Sequence, residues 1–486
     1  MSLSKFMVKK SITSIQAESQ KGELKRTLSA LNLVSLGIGC IIGTGIFVLT
    51  GTAAAQHAGP AIVLSFLLAG LCCAFAAMCY AELSSMLPVS GSAYSYAYAS
   101  LGELFAWVMG WLLLLEYGVA ASTVAVGWSG YVVSFLHGFN INIPLQWTAA
   151  TGQIVKLADG GSITALFNLP AFLAISAVTS LLVIGVKESA NVNNIIVFIK
   201  LLVVILFIAI GIFYVNPSNW FPFIPDFAPA NNDIVGDHDR FGWSGILHGA
   251  SIVFFAYIGF EAVSTASQEA KNPQRDIPIG ILGSLAVCTV LYILVSLVLT
   301  GIVKYTALDT PSPIATAVDM IGLPWLSFVI KIGAIAGLSS VMLVLMYGQT
   351  RIFYTMAKDG LLPPIFCKIH PKFQTPWINT ILVGMISGIV AGTTNINALG
   401  NLVNLGTLLA FTIICYTVLH LRKKEPNLTR PFQVPYPKIT PILGMLFCAV
   451  LISSLWETFV ILIPYFALGF AIYFGYGQHH SKLRKK

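Results

Sequence analysis

Apolar runs of about 20 residues recur from one end of this 486-residue chain to the other. Each is long enough to cross a hydrocarbon core roughly 30 Å thick as a helix. They lie near 31–56, 60–85, 104–135, 166–186, 190–214, 245–269, 278–302, 326–356, 376–394, 399–420, 438–455 and 458–477, and are numbered here as spans 1 to 12. Only 9% of residues are charged and 56% are hydrophobic, against about 25% charged in a soluble domain. A soluble globule of this length cannot hide so much apolar surface, whereas a bilayer is itself an apolar solvent. The expected fold is therefore an all-α integral membrane protein with twelve transmembrane helices. Seven of the eight cysteines fall inside apolar runs, Cys367 being the exception. They show neither zinc-site spacing nor the density of a disulfide scaffold, and read as small buried hydrophobes.

Lys and Arg set the direction. With the N-terminus inside, 22 of the 27 fall in inner segments: the tail (residues 1–27), the 186–190 turn, the 270–277 loop, the segment after span 8, the 421–438 loop and the basic C-terminal tail. The outer loops hold three, Lys156, Arg240 and Lys304. Such a split predicts both termini in the cytoplasm and a multi-pass protein of the plasma membrane. The net charge of +8 follows from this topology and from anionic lipid, with no need of nucleic acid. Residues 1–25 carry no cleavable signal pattern and read as a cytoplasmic tail.

Two spans break the apolar rule at mid-membrane depth. Span 1 contains Gly37-Ile-Gly-Cys-Ile-Ile-Gly-Thr-Gly45, and span 6 contains Phe254-Phe-Ala-Tyr-Ile-Gly-Phe-Glu261. Spans five apart enter the membrane from opposite sides, as an inverted 5+5 repeat requires. Unwound backbone is tolerable in lipid only where it lines a cavity or ligand. For Gly37 and Gly39, close helix packing is an equal alternative; the Gly43-Thr44-Gly45 cluster favours unwinding. Freed N–H groups at the start of the second half of span 1, aided by the helix dipole, suit a carboxylate. Freed carbonyls at the end of the first half of span 6 suit an ammonium. A zwitterionic α-amino acid presents both.

Five stretches resemble the amino acid–polyamine–organocation superfamily, and within it bacterial relatives of the cationic amino acid transporters. They are LSALNLVSLGIGCIIGTGIFVLTG (28–51), YAELSSMLPVSGSAYSYAYASLGE (80–103), GVKESANVNNIIVFIKL (185–201), FFAYIGFEAVSTASQEAKNPQRDIPIGI (254–281) and RIFYTMAKDGLLP (351–363). The resemblance implies an inverted repeat of spans 1–5 (residues 28–215) and 6–10 (residues 245–420), joined by an outer loop at 216–244. Spans 11 and 12 (residues 438–477) follow a cytoplasmic loop at 421–437, and residues 478–486 form the tail. It also implies that a substrate carboxylate meets span 1 around Ile41, Gly43, Thr44 and Gly45. The amino group would then meet span 6 at Phe255, Ala256 and Ile258, with Phe255 as a gate.

Three ionisable residues stand out deep inside spans: Glu116, Lys200 and Glu261. Each is costly in lipid if unpaired, so each is a functional candidate. Lys200 has no charged neighbour on its own helix. In this family a span 5 lysine places its ammonium where sodium-coupled members hold a cation between spans 1, 5 and 8; Lys200 matches it, and Ser339 and Ser340 match the cation-binding hydroxyls. Lys200 is thus the candidate for proton coupling, a permanently charged structural lysine being the alternative. Glu116 either pairs with a cationic substrate or bonds backbone near the unwound segments. Glu261 either relays gate opening, as the resemblance implies, or is a protonated structural carboxyl.

The histidines, including His248 near the outer end of span 6, read as loop or satisfied residues. No HExxH, P-loop or GxSxG pattern occurs, and no cofactor is implied. In span 8, Met342 and Met346 are four apart. Met342 in the pocket would shrink it and offer no anion to a guanidinium, favouring a small neutral substrate such as alanine; core packing is the alternative. The leading expectation is a secondary active, proton-coupled amino acid symporter working by alternating access. A cationic amino acid transporter and a proton-independent amino acid or polyamine exchanger are the alternatives. A channel lacks its polar stripe, a receptor its soluble domain, and an enzyme its nucleophile–base or metal set. An accessory single-span partner is left unassigned.

Overall fold

The structure, a computed structural model, describes residues 8–11, 26–89, 91–156, 161–185, 190–229 and 239–484. Most of the expected cytoplasmic tail, Lys187 in the 186–190 turn and the terminal Lys485 and Lys486 lie outside these residues.

Among the described residues, eight helical stretches are long and apolar enough to cross a membrane: Gly45–Met86, Glu103–His137, Asn194–Tyr214, Gly242–Thr265, Pro273–Ile302, Pro324–Lys358, Ile396–Lys424 and Trp456–His480. Four shorter apolar helices, Ala30–Ile41, Leu169–Ile184, Trp377–Thr393 and Ile439–Ser453, fall where spans 1, 4, 9 and 11 were expected. Gly45–Met86 combines the second half of span 1 with span 2, turning at Gly59–Ala61. The chain is thus a multi-helix membrane protein without a barrel; the only sheet among the described residues is the hairpin Ile154–Lys156 with Ser162–Thr164, in the loop after span 3.

Local chemistry sets the ends of these helices. Ser29 and Asn32 cap Ala30–Ile41 reciprocally, the Ser29 hydroxyl accepting from the Asn32 N–H at 3.4 Å and the Asn32 carbonyl from the Ser29 N–H at 3.2 Å. Asn168 caps Leu169–Ile184 through Ala171, and Gly185, at φ +84°, ends it. Prolines open Pro273–Ile302 and Pro324–Lys358, where their missing N–H costs no helical bond.

Packing sorts the helices into two groups. Pro273–Ile302 (span 7) packs on Ile62–Met86 (span 2) and Ala30–Ile41 (span 1), while Gly242–Val253 (span 6) packs on span 2. Pro324–Lys358 (span 8) packs on Ala120–His137 (span 3), and Trp377–Thr393 (span 9) on Leu169–Ile184 (span 4). Ala190–Gly211 (span 5) touches both groups, through span 1 and span 8. Ile439–Ser453 (span 11) packs outside, on spans 10 and 2.

The basic loop after span 10 is tied down by a buried acid. Glu82, at the end of span 2, receives both Arg422 nitrogens Nε (3.0 Å) and Nη2, sits 3.5 Å from Arg430 Nε and accepts from the Val434 N–H at 2.8 Å. The carboxylate is 1% exposed; both of its oxygens accept hydrogen bonds and two arginines neutralise its charge, which is the condition for burying it.

Candidate functional site

The two predicted breaks are present and touch each other. Ala30–Ile41 ends at Ile42, which is extended (φ −72°, ψ 97°), and helical structure resumes at Gly45 after Thr44. The first-turn N–H groups of that second segment have no acceptor within their own helix. Span 6 runs as Gly242–Val253, tightens over Phe254–Tyr257 and extends at Ile258 (φ −60°, ψ 134°). Gly259 then takes φ +119° before Ala262–Thr265 resumes. No side chain adopts that φ readily, so the glycine of the span 6 motif is what permits the reversal. At Gly45 a Cβ would stand 2.2 Å from Ala256 Cα. The closest approach of the two breaks therefore requires glycine in span 1.

A cavity opens at this meeting point. It encloses about 290 Å³ of empty space, counting its mouth, and is lined by Ile41, Gly43, Thr44, Gly45, Phe255 and Ile258, all expected from the sequence. Cys40, Ala120, Val124, Val341 and Leu345 complete the wall. The Thr44 hydroxyl is fully buried and has no protein partner. Around it the lining is aliphatic and aromatic. No acidic residue belongs to it.

Three of the expected substrate-binding residues, Met342, Glu116 and Ala256, lie off this wall. Met342 and Met346 are fully buried, but the face of span 8 that reaches the cavity carries Val341 and Leu345, again four apart. Glu116 is fully buried but outside the cavity lining, and both its carboxyl oxygens are without a protein partner among the described residues, so it bonds no backbone at the breaks. Glu261 accepts from the Gly259 N–H at 3.0 Å, so it braces the span 6 reversal. Ala256 makes its contribution through backbone: it abuts Gly45, and its carbonyl is engaged by Tyr292.

Tyr292 of span 7 gave no signal in the sequence. Its hydroxyl lies 2.8 Å from both the Ile41 and the Ala256 carbonyl oxygens. One proton is thus offered to the two carbonyls that the breaks in spans 1 and 6 release. Asn404 of span 10 does the same upstream, its amide donating to the Ser251 carbonyl at 2.7 Å and the Ile252 carbonyl at 3.2 Å. Tyr131 of span 3 donates to the Phe47 carbonyl at 2.8 Å, just past the first break. Tyrosines and asparagines inside apolar runs are the trace that sequence reasoning passed over, since each supplies a donor to backbone that a broken helix leaves unsatisfied.

Lys200 is fully buried and donates from Nζ to the Gly39 carbonyl at 2.7 Å. Its stem lies against Gly337 of span 8, whose Cβ, if present, would be 3.0 Å from Lys200 Cε. The Lys200 side chain thus lies between spans 1, 5 and 8. Ser339 donates to the Ile335 carbonyl and accepts from the Trp128 indole, while the Ser340 hydroxyl is buried without a protein partner. In the first half of span 6, His248 is buried with its ring 4.6 Å from that of His57. All eight cysteines are free thiols, and only Cys367 is partly exposed.

Comparison with known proteins matches residues 28–473 to the family described as amino acid permease. The chain is 48% identical to the methylthioribose transporter of Bacillus subtilis (strain 168) over 99% of its own length and all of that protein's. It is 47% identical to the branched-chain amino acid permease BcaP of the same organism, over 98% of both chains. A vacuolar cationic amino acid transporter 4 of Arabidopsis thaliana is 38% identical over 83% of this chain and 64% of its own length. The chain belongs to the amino acid permease family.

Proposed function

We propose that this amino acid permease is a proton-coupled symporter of small neutral, aliphatic L-amino acids, working by alternating access in the plasma membrane with both termini cytoplasmic. The observation that carries the substrate class is the cavity wall: Ala120, Val124, Ile258, Val341 and Leu345 face the side-chain end, with no carboxylate among them. A guanidinium or ammonium side chain buried there would have no counter-ion, a cost of several kcal/mol. This disfavours the cationic reading. The branched-chain permease among the relatives supports the aliphatic one. The methylthioribose transporter raises a second reading, but a sugar's hydroxyls would find Thr44 as the one side-chain hydroxyl in the wall.

In this reading the substrate carboxylate meets the first-turn N–H groups from Gly45 and the Thr44 hydroxyl, the ammonium meets span 6 carbonyls near Phe255 and Ile258, and Phe255 closes over the side chain. Lys200 carries the coupled proton: charged, it holds the Gly39 carbonyl and so the inner half of span 1; neutral, it weakens that hold. The topology of twelve crossings, with spans 1–5 repeated inverted as 6–10, is supported by the packing. Exchanging each span number n for n+5 turns the 1–7 contact into the 6–2 contact and maps 2–7, 3–8 and 4–9 onto themselves.

A thermal-shift screen of the twenty amino acids and methylthioribose tests the substrate class, since a ligand bound to the folded state raises its melting temperature. Alanine, valine, leucine or isoleucine should stabilise most. Leu345→Ala should move the preference toward larger side chains. Stabilisation by arginine or lysine alone would refute the aliphatic reading.

A further inference from the structure

The basic residues at the C-terminal end of span 10 divide into two sets. Arg422 turns back to Glu82, and Arg430 of the following loop reaches the same carboxylate. Lys423 and Lys424 are exposed and have no ion-pair partner among the described residues. Their helix, Ile396–Lys424, sets this division. His420, Lys423 and Lys424 are spaced i, i+3 and i+4 and so share one side of it. Arg422, two residues after His420, falls on the opposite side.

A second stretch of chain adds to the exposed set. The Lys9 ammonium lies 3.4 Å from His420 Nε2, while its neighbour Lys10 turns away to Asp359. Burial, and then the Lys424 charge, lowers the Lys9 pKa, as crowding of cations does. Glu425 acts on Lys9 in the opposite sense and is the acid of this cluster, with three lysines and an imidazole against it. One turn before His420, Tyr416 lies on the same side, 46% exposed, its ring 6.0 Å from the imidazole. On a membrane-crossing helix an exposed tyrosine suits the boundary between hydrocarbon and headgroups. Half-buried Ile413 and Leu409 continue this side into the span.

We propose that this side of span 10 is a binding site for one anionic phospholipid. Its phosphate is held by Lys9, Lys423 and Lys424, and its acyl chains run along Tyr416, Ile413 and Leu409. Like charges crowded at a surface repel one another, and an anion between them relieves that repulsion. A phosphate diester with chains attached is the anion that a membrane presents at this depth. Inorganic phosphate shares the charge but gains nothing from the apolar side of the helix. The site is separate from the substrate cavity and stands whatever that cavity carries.

The test is thermal unfolding of the purified protein in neutral detergent, titrated with dioctanoyl phosphatidylglycerol or with dioctanoyl phosphatidylcholine. Phosphatidylglycerol should raise the melting temperature saturably, and phosphatidylcholine should not. K9Q and K424Q should each raise the half-saturating concentration about fivefold, the share of one surface lysine. Both lysines are exposed, so each variant should melt as the parent does before lipid is added. K9R/K424R, which keeps both charges, should retain parental binding. K372Q, which removes an exposed lysine of the loop after span 8, should do the same. No advantage of phosphatidylglycerol over phosphatidylcholine, or an effect of K372Q as large as that of K9Q, would overturn the site. So would equal stabilisation by glycerol phosphate, which carries the charge without the chains.

Discussion

Tyr292 and Lys200 both donate to backbone carbonyls beside the breaks in spans 1 and 6. Tyr292 stands between two carbonyls, Ile41 and Ala256, that no helix satisfies. Tyr292→Phe keeps the ring against Phe66 and Tyr257, at 5.5 and 5.4 Å between centroids, and removes only the proton. Leaving buried carbonyls unpaired costs about 1–3 kcal/mol. The variant should therefore melt several degrees lower in a thermal unfolding assay and show a weaker substrate-induced shift. Unchanged melting would mean that the carbonyls find other donors. Lys200 was legible from sequence because a lone ammonium in an apolar run is conspicuous. Tyr292 was not, since a tyrosine in such a run looks like any aromatic until the carbonyls opposite it are known.

The breaks in spans 1 and 6 are the elements that line the cavity. Their location was readable from glycine clustering and from the parity of the spans; how they meet was not. Gly45 is held to glycine by a neighbour three-dimensional structure alone supplies, the backbone of Ala256. Gly43, a cavity-lining glycine in the same cluster, would place a Cβ 3.5 Å from Val341, an ordinary contact. Gly45→Ala should consequently abolish the substrate-dependent thermal shift, because backbone cannot move aside, whereas Gly43→Ala should fold and bind with reduced affinity. Equal behaviour of the two would argue against close apposition of the breaks. The methionines of span 8 illustrate the limit of pattern reading. Spacing alone cannot choose between the face with Met342 and Met346 and the adjacent face with Val341 and Leu345; the packing of span 3 against span 8 makes that choice.

At the scale of the whole molecule, apolar runs were enough to foresee a multi-helix membrane protein, because bilayer thickness imposes the length of each run. Individual crossings were harder to count, since span 1 is interrupted and spans 4, 9 and 11 are short helices. Residues 8 and 481–484 meet at Glu103, on one face of the described molecule. The Arg and Lys residues counted as inner include Arg422 and Arg430, which the structure fixes on Glu82, so part of the basic bias also closes a loop. Neither Glu82 nor Glu103 was singled out from sequence, because an acid near a span end reads as solvated until its partners, hundreds of residues away, fold onto it.

In the proposed function, a substrate site between two broken helices is driven by a proton carried on Lys200. The most direct measurement compares proteoliposomes of the parent protein and of Lys200→Met, loaded and assayed with alanine and leucine. The parent should accumulate substrate when the pH gradient is inward and should exchange it when there is none. Lys200→Met should lose accumulation while keeping both exchange and the substrate-induced thermal shift. Accumulation that persists in Lys200→Met at the parental level would rule Lys200 out as the proton carrier.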